Sequence, residues 1–480
     1  MRIYESDGGG MISQESKDVL ARLEGRRNTL LCEKEETWRL KSRAIWLSCG
    51  DENTKFFHAF SRGRKAANTI WSLKDDEGVS YTNFDDKARC GVTHFQNLFR
   101  APQQANIAEV IRVAQMFPRF VDDDGNRELM AVISEEEIKE VLGSFQKDKS
   151  PGPDGWTMEF FLDLFEFLGT DLMVVIEDSR VSGRIPARFN STFIALIPKS
   201  DNAVTLNEYR PISLCNCIYK LIAKVIARRL KRILSTNISA EQFGFLEGRQ
   251  IHEAIGVAQE GLHSIKTKKL KGAVLKIDLS KAYDKVSWLF LRLLLTHLGF
   301  GIAFIRWVMS CITTVSFSVL INGAASNFFH AERGLCQGCP LSPLLFLLVA
   351  EGLSRAIIKA KGEGLFQGIQ VAPNLHITHL LFVDDVLIFC SGSRGDSRVL
   401  KEILDLFSKA IGMEINAGKS TISTYLLRLE EEASLTRFFP FITAGLDVGL
   451  KYLGFSLKAN LYMKRDWVWL IGKVEKRLKV

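Results

Sequence analysis

The stretch LLFVDDVLIF, residues 380–389, decides how this chain folds. Two apolar runs flank the adjacent acids Asp384 and Asp385, which leaves room only for a tight β-hairpin. A two-residue hairpin turn usually contains Gly, because φ must be positive there, and this pair offers none. Neighbouring carboxylates on an apolar sheet repel each other and resist desolvation, and a divalent cation relieves both effects. The stretch indicates a metal-binding hairpin, with a solvated acidic turn as the alternative.

A third acid ends another apolar strand, in AVLKIDLSKAYD at residues 273–284. Asp278 follows the strand, and an acid at a strand end can reach a site at the edge of a sheet. The alternative is a helix N-cap formed by Asp278 or Ser280. Together with the hairpin acids, Asp278 would complete the set of hard oxygen ligands that two-metal phosphoryl transfer requires. We therefore expect Asp278 to lie beside Asp384 and Asp385.

In the rest of the chain, hydrophobic periodicity predicts both strands and helices. We expect strands at 193–197, 273–277, 315–321, 377–383, 386–389 and 451–457, and helices at 11–47, 156–180, 214–234, 285–298, 344–361 and 396–411. Because strands and helices mix without strict βαβ alternation, the predicted class is α+β, with a sheet backed by helices on one side.

Composition and charge narrow the class of protein. The chain has 480 residues, of which 46% are apolar and 25% charged, so wholesale disorder is excluded and two or three subdomains are expected. Its formal net charge is +8. Basic residues cluster, which is typical either of a nucleic-acid track or of solvated helix faces. The clusters are Arg62, Arg64 and Lys65; Lys220, Lys224, Arg228, Arg229, Lys231 and Arg232; and Lys266, Lys268, Lys269 and Lys271.

Cysteine usage and hydropathy indicate a location inside the cell. Nine Cys are present without a secretory signal, which favours reduced thiols. Cys336 and Cys339 form a CxxC without the second pair that a zinc site needs. The longest apolar runs are too short or too charged to cross a bilayer. We predict an intracellular protein of the nucleus or cytoplasm with no membrane partner.

Further blocks extend along the chain in a fixed order. They are SPGPDG (150–155), FIALIPK (193–199), EYRPISLCNCIYKLIAKVIARRLK (208–231), EQFGFLEGR (241–249), KIDLSKAYD (276–284), GLCQGCPLSPLLF (334–346), FVDD (382–385), GMEINAGKS (412–420) and KYLGFSL (451–457). In these blocks the chain resembles the reverse transcriptase of non-LTR, LINE-type retrotransposons. The stretch GDENTKFFHAFSRGRKAANTI (50–70) is similar to the segment before the polymerase in plant elements.

The resemblance implies an RNA-directed DNA polymerase. Such an enzyme takes an RNA template, a DNA primer and deoxynucleoside triphosphates, and it uses two Mg²⁺ ions, which Mn²⁺ can replace. By position, Asp278, Asp384 and Asp385 match the catalytic triad that binds both metals. The resemblance assigns nucleotide binding to Lys199, Arg210, Tyr283, Gln337, Gly338 and Lys419, and template binding to Gly248 and Arg249.

Each of these matches carries a role in the family. The ring of Tyr283 would stack under the incoming sugar and exclude a 2′-hydroxyl. Lys199 and Arg210 would hold the triphosphate, and Lys419 would lie near the pyrophosphate. At Gln337-Gly338 a turn would pack beside template and nucleotide.

The resemblance also implies a right-hand polymerase fold with an antiparallel palm sheet. Its parts would be an N-terminal extension at 1–149, fingers at 150–270 and 300–345, a palm at 271–299 and 346–458, and the start of a thumb at 459–480. Because family members carry an endonuclease, a complete thumb and C-terminal domains, we expect a protein truncated at both ends.

Two departures from the family pattern concern the Gln337-Gly338 turn. Cys336 replaces a basic residue and Cys339 a frequent acid, so we expect one template or nucleotide contact to be lost. The alternatives to an active enzyme are a non-catalytic nucleic-acid-binding relic and a splicing maturase. The complete acid triad argues against the relic, and the block at 50–70 argues against the maturase.

Overall fold

A computed structural model describes residues 14–42, 54–101, 106–200, 202–460 and 462–478. The chain divides into two compact units. Unit 1 comprises Met1–Lys87, Ile197–Arg210 and Ile321–Ala324, and unit 2 comprises Ala88–Leu196, Pro211–Leu320 and Ala325–Val480. All three acids predicted to bind metal belong to unit 2. The boundaries proposed for the extension, fingers, palm and thumb stay a prediction.

Helices run through both units and agree with most of the predicted spans. They are α1 (Gln14–Ser42), α2 (Thr54–Asn68), α3 (Phe84–Phe99), α4 (Ile107–Ala114), α5 (Asp123–Leu129), α6 (Glu135–Gly143), α7 (Met158–Asp163), α8 (Phe165–Ser182), α9 (Cys217–Asn237), α10 (Ile251–Thr267), α11 (Trp288–His297), α12 (Ile302–Thr313), α13 (Ser342–Gly362), α14 (Arg394–Ile411), α15 (Leu429–Phe438) and α16 (Val468–Leu478).

Strands are short and group into several sheets. They are β1 (Leu73–Lys74), β2 (Ser80–Tyr81), β3 (Ser191–Pro198), β4 (Tyr209–Cys215), β5 (Gly272–Ser280), β6 (Ser316–Ile321), β7 (Ala324–Ala325), β8 (Phe329–His330), β9 (Ile369–Ala372), β10 (Leu375–Ile377), β11 (His379–Phe382), β12 (Asp385–Cys390), β13 (Glu414–Ile415), β14 (Thr421–Tyr425), β15 (Ile442–Gly445), β16 (Leu450–Tyr452) and β17 (Phe455–Leu457).

The largest sheet lies in unit 2 and carries the acids. Its order is β11-β12-β5-β14-β15, and β13 pairs with the end of β5. The pairs β11–β12, β12–β5 and β5–β14 are antiparallel, whereas β14 and β15 run parallel. The predicted mixed fold is confirmed, and the predicted antiparallel sheet has one parallel pair at its edge.

Helices cover both faces of this sheet. On one face α10 packs Ala258 and Leu262 against Leu387 and Phe389. On the other face, α13 approaches β11, where Ser354 Oγ lies 2.7 Å from His379 Nε2. Because both faces are buried, the strands read as nearly continuous apolar runs. Helices had been expected behind one side only, although continuous runs of this kind are typical of strands that are covered on both faces.

A second sheet of unit 2 explains much of the phenylalanine content. β3 and β6 run parallel, and β8 joins β6 antiparallel. Phe317 on β6 stacks on Phe99 of α3, with 5.0 Å between ring centroids, and also packs against Phe329. Offset aromatic contacts of this kind add to the apolar burial that holds a helix on a sheet.

The basic clusters are partly neutralised within the protein. On α9, the guanidinium of Arg229 is buried and donates to both carboxylate oxygens of Glu137. Lys266 pairs with Asp447, and Lys271 pairs with Glu431. These three cations therefore contribute less to a phosphate track than the sequence suggests. Within the described part of the chain, no helix is both long and apolar enough to span a bilayer.

Arg229→Ala is expected to lower the free energy of unfolding by about 3–5 kcal/mol, because Glu137 would lose its partner in a buried pair. The guanidinium also donates to the carbonyls of Leu129 and Ala131, which would be left without that donor. Urea unfolding followed by circular dichroism measures the change. The control is Arg232→Ala on the exposed face of α9, for which we expect a change within about 0.5 kcal/mol. Equal losses would contradict the buried role of Arg229.

Candidate active site

The hairpin has its turn one residue earlier than predicted. Phe382 pairs with Asp385, so the two turn residues are Val383 and Asp384, and Asp385 begins β12. Val383 has φ +62°, in the left-handed region that β-branched residues rarely adopt. A residue held there stores about 1–3 kcal/mol and persists only where its surroundings fix it. The turn thus meets the need for positive φ without glycine.

The three predicted acids converge. Asp278 on β5 stands directly opposite Asp385 on β12, and side chains opposite each other in antiparallel strands point to the same face. Burial raises the pKa of Asp384, and the charges of Asp385 and Asp278 raise it further. Burial also raises the pKa of Asp385, and Lys276, near it on β5, opposes this shift. The carboxylates therefore share one site and repel one another.

The chemistry of these donors, hard carboxylate oxygens, is of the kind that Mg²⁺ prefers. Mg²⁺ in phosphate-transferring enzymes is held by one or two carboxylates, with water and substrate phosphates as the other ligands. In the residues that the structure describes, no group of three or more Asp, Glu, His or Cys side chains is arranged to hold a metal ion by itself. Clustered, partly buried carboxylates whose pKa values are raised are the groups that a divalent cation stabilises.

Tyr283 stands next to the acids. Its half-buried ring stacks on Phe346 of α13, with 4.6 Å between centroids and 13° between planes. Burial and the charge of Asp384 raise the pKa of Tyr283, so its hydroxyl stays protonated. The N–H of Leu335 donates to the Tyr283 carbonyl at 2.8 Å, which fixes the backbone there. The ring is held at the edge of the acidic site.

The Gln337-Gly338 turn is built against β4. Ser213 N–H donates to the Gln337 carbonyl at 2.7 Å, and Gln337 Nε2 donates to Asp284 Oδ1 at 3.2 Å. Gly338 has φ +120°, and a Cβ there would lie 2.8 Å from the Ser213 carbonyl oxygen. The close approach that requires glycine is therefore to this chain's own backbone. Contact with template or nucleotide stays a prediction.

The two cysteines of this turn point inward. Cys336 and Cys339 are buried, and Cys339 Sγ lies 3.3 Å from the Tyr219 hydroxyl. A hydrogen bond with the side chain of Cys336 lowers the pKa of the Cys215 thiol below its usual range. An unpaired basic side chain would be unfavourable in such a setting, and Cys336 fills core volume here.

Lys419 lies on an exposed loop that is tied to Asp278. The N–H of Asn416 donates to the Asp278 carbonyl at 2.8 Å, and the N–H of Asp278 donates to Ser420 Oγ at 3.0 Å. Ser420 is fully buried. Sequence reasoning did not single out Ser420, although it ends the GMEINAGKS block. The loop brings Lys419 to the side of the sheet that carries Asp278.

The predicted template residues have different surroundings. Gly248 is exposed with φ +75°. Arg249 is half-buried and donates to the backbone carbonyls of Ile238, Ser239 and Gln242. The hydrogen bonds described for Arg249 are therefore internal. Its geometry supports a structural role, and template contact stays a prediction.

Lys199 and Arg210 belong to unit 1. Lys199 Nζ donates to the Asn207 carbonyl at 2.7 Å. Arg210 is exposed on β4. Their assignment to the triphosphate stays a prediction.

A basic groove of about 550 Å³ opens in unit 2 between α6, α9 and the start of α13. Its lining combines three cations with one acid and with apolar residues: Lys224, Arg228 and Lys231; Glu140; and Phe245, Pro340 and Pro343. Lys224 also lies 5.0 Å above the ring of Phe145, whereas Arg228 pairs with Glu140. Positive charge beside an aromatic ring suits a nucleic-acid strand.

Three carboxylates lie at adjoining strand ends of a largely antiparallel sheet, one of them on a hairpin turn, and metal-assisted phosphoryl transfer uses oxygen donors of this kind. Residues 197–457, more than half of the chain, match the family described as reverse transcriptase (RNA-dependent DNA polymerase). The chain belongs to this family, and its relatives place it among the non-LTR, LINE-type members.

Three relatives come from mobile elements. The chain is 27% identical over 431 residues to the transposon TX1 149 kDa protein of Xenopus laevis, covering 88% of this chain and 32% of that protein. It is 26% identical over 297 residues to the Pol polyprotein of element R2DM of Drosophila melanogaster, covering 62% and 27%. It is 24% identical over 438 residues to the RNA-directed DNA polymerase from mobile element jockey of Drosophila funebris, covering 87% and 44%. The chain thus spans less than half the length of each relative.

Proposed function

We propose that this chain is an RNA-directed DNA polymerase, which copies an RNA template by extending a DNA primer with deoxynucleoside triphosphates. The observation that carries the proposal is the convergence of Asp278 with Asp384 and Asp385 on one sheet. The family match and the names of the relatives support it. We place the activity inside the cell, in the nucleus or cytoplasm.

The acids have the central role in this proposal. Asp278, Asp384 and Asp385 would hold two Mg²⁺ ions, or Mn²⁺ in their place. When bound, these ions supply charge neutralisation at the triphosphate and activation of the primer 3′-hydroxyl. The opposed strands β5 and β12 keep the carboxylates in place, which limits their reorganisation during the reaction.

The other side chains would position the substrates. Tyr283 presents a fixed ring beside Asp384, where a deoxyribose would stack. Gln337, Gly338 and Lys419 would line the nucleotide site, and Lys199 and Arg210 would hold the triphosphate. Template contacts are proposed for Gly248, for Arg249 and for the basic groove. None of these assignments is needed for the acid triad to function.

Primer extension on poly(rA)/oligo(dT) tests the proposal. We expect Mg²⁺-dependent incorporation of thymidylate by the wild-type protein and none by Asp384→Ala. A folded wild-type protein that binds the hybrid without extending it would support the nucleic-acid-binding relic. Tight preference for one structured intron RNA would support the maturase.

Lys231→Gln is expected to weaken binding of an RNA–DNA hybrid and to reduce the slope of log affinity against log salt by about 0.9, because one phosphate contact would be lost. Lys231 lines the groove on α9. Fluorescence anisotropy titrations at KCl concentrations of roughly 50 to 300 mM give this slope. The control is Lys359→Gln, an exposed cation toward the C-terminal end of α13, which should leave the slope unchanged. Equal slopes for wild type and Lys231→Gln would remove the groove from the proposal.

A further inference from the structure

The free edge of the catalytic hairpin is paired with a segment that is not a regular strand. In the residues Glu241–Gly244, which precede α10, the N–H of Phe243 donates to the Leu381 carbonyl at 2.8 Å. The N–H of Leu381 donates to the Glu241 carbonyl, also at 2.8 Å. This segment, here called the hairpin brace, extends the sheet beyond β11 and ends beside the strained turn.

Gln242 of the brace reaches the turn itself. Its side chain is fully buried, and its Oε1 accepts from the N–H groups of Val383 and Gly244, both at 3.0 Å. Two backbone donors on one atom identify that atom as the amide oxygen. Val383 is itself buried, so its N–H needs an acceptor that the hairpin ladder does not supply.

The amide nitrogen of Gln242 makes no hydrogen bond with any described residue that would explain why this side chain is buried. Nε2 is buried and has no hydrogen-bond partner among the residues that the structure describes. A buried donor without a partner is unfavourable, so the side chain gains little from its nitrogen. Its favourable contacts are the two that Oε1 makes, one of them to the turn.

Gly244 of the brace packs against the side chain of Val383. A Cβ at this position would lie 2.5 Å from Val383 Cγ2, so only glycine lets the brace approach the turn so closely. The brace therefore holds Val383 by an acceptor on its N–H and by packing on its side chain. These are surroundings of the kind that keep a β-branched residue at positive φ.

We propose that Gln242 is a positioning residue for Asp384. By accepting the N–H of Val383, it fixes the backbone turn from which Asp384 projects toward Asp278 and Asp385. The catalytic role inferred for Gln242 rests on the proposed function. The structural link between Gln242 and the turn does not depend on that function.

Two substitutions separate the acceptor from the volume of the side chain. Gln242→Met keeps the length and removes the acceptor, whereas Gln242→Glu keeps an acceptor oxygen at the same reach. The control is Ile422→Ala, a truncation in the fully buried part of β14, which pairs with β5 away from the hairpin. It reports what loss of core packing alone does.

Hydrogen exchange read by mass spectrometry tests the structural link without any activity. In Gln242→Met we expect amides in a peptide spanning 380–389 to exchange about tenfold faster, since local opening sets their protection. Gln242→Glu should restore most of the protection, and Ile422→Ala should leave this peptide close to wild type. Unchanged exchange in Gln242→Met overturns the proposal, and so does exchange in Gln242→Glu as fast as in Gln242→Met.

Primer extension then tests the catalytic consequence. A misplaced Asp384 is expected to lower kcat about 10- to 100-fold and to raise the Mg²⁺ concentration for half-maximal rate, with the KM for deoxynucleotide nearly unchanged. If Ile422→Ala shows the same rise, the effect is loss of stability and the positioning role is wrong. If the wild-type protein extends no primer, the proposed function fails while the exchange experiment still decides the link.

Discussion

Asp384→Asn is expected to reduce single-turnover primer extension by about 10³-fold, close to the loss found when a main electrostatic group is removed from an active site. Asparagine has the size of aspartate and keeps one oxygen, but it carries no charge for a cation. Since Asp384 occupies the turn itself, the substitution leaves the ladder between β11 and β12 in place. Rapid quench with saturating nucleotide measures the rate. Asp405→Asn on the exposed side of α14 is the matched control and should keep full activity.

The same substitution should stabilise the metal-free protein at neutral pH. Burial and the neighbouring acids raise the pKa of Asp384 in the folded state. Between the unfolded pKa of about 3.9 and the raised folded value, the folded state binds more protons, so stability falls as pH rises through this window. Asparagine does not titrate and removes this loss.

Thermal unfolding in EDTA from pH 4 to pH 8 checks this sign. The melting temperature of wild type should fall relative to Asp384→Asn as pH rises, and added Mg²⁺ should raise it for wild type more than for the variant. A wild-type protein that gains stability over Asp384→Asn with rising pH in EDTA would show that the acids do not repel. That result would also remove the structural reason for a metal at this site.

The hairpin shows how much of the site could be predicted from the local sequence. The apolar runs around Asp384 and Asp385 were enough to predict two paired strands and a shared acidic site. The turn position was wrong by one residue, because Val383 takes positive φ while Gln242 and Gly244, some 140 residues earlier, hold it there. Local turn preference cannot register a contact made at that separation.

A second feature that could not be predicted from the sequence is which charged side chains are buried or paired inside the protein. The sequence placed Arg229 in a basic cluster and assigned Arg249 to template binding, so neither was expected to be occupied inside the protein. Arg229 is buried by Glu137 on α6, and Arg249 is occupied by three backbone carbonyls. Neither partner set is visible in a helical pattern, which reports only which face is apolar. The strand β4 was missed for a related reason: its Arg210 and Pro211 interrupt the apolar pattern of a strand.

Recognition of the family supplied what periodicity could not. The three acids could be argued from the residues, because their chemistry and strand positions agree. The roles of Tyr283, Gln337 and Lys419 came from the motifs alone. The structure brings Tyr283 and the loop of Lys419 to the acids. It ties Gln337 to Asp284, which follows Tyr283 in the chain. The affinity with plant elements stays a prediction.

Tyr283→Val is expected to raise incorporation of ribonucleotides relative to deoxynucleotides by about 10- to 100-fold. The ring of Tyr283 is fixed by its stack on Phe346 and cannot move aside easily. Forcing an extra oxygen against such a fixed group costs about 1–3 kcal/mol, which corresponds to that range of discrimination. Valine removes the ring and opens volume for a 2′-hydroxyl. Single-nucleotide insertion with dTTP and UTP opposite rA gives both kcat/KM values.

Tyr283→Phe separates the ring from its hydroxyl. It keeps the aromatic face and should discriminate as wild type does. Because burial and Asp384 raise the pKa of Tyr283, the hydroxyl stays protonated across the working pH range, and the pH profile of Tyr283→Phe should also match wild type. A loss of discrimination in Tyr283→Phe would assign selectivity to the hydroxyl. Retained selectivity in Tyr283→Val would mean that another group excludes the 2′-hydroxyl, since no ring would remain at that position to do so.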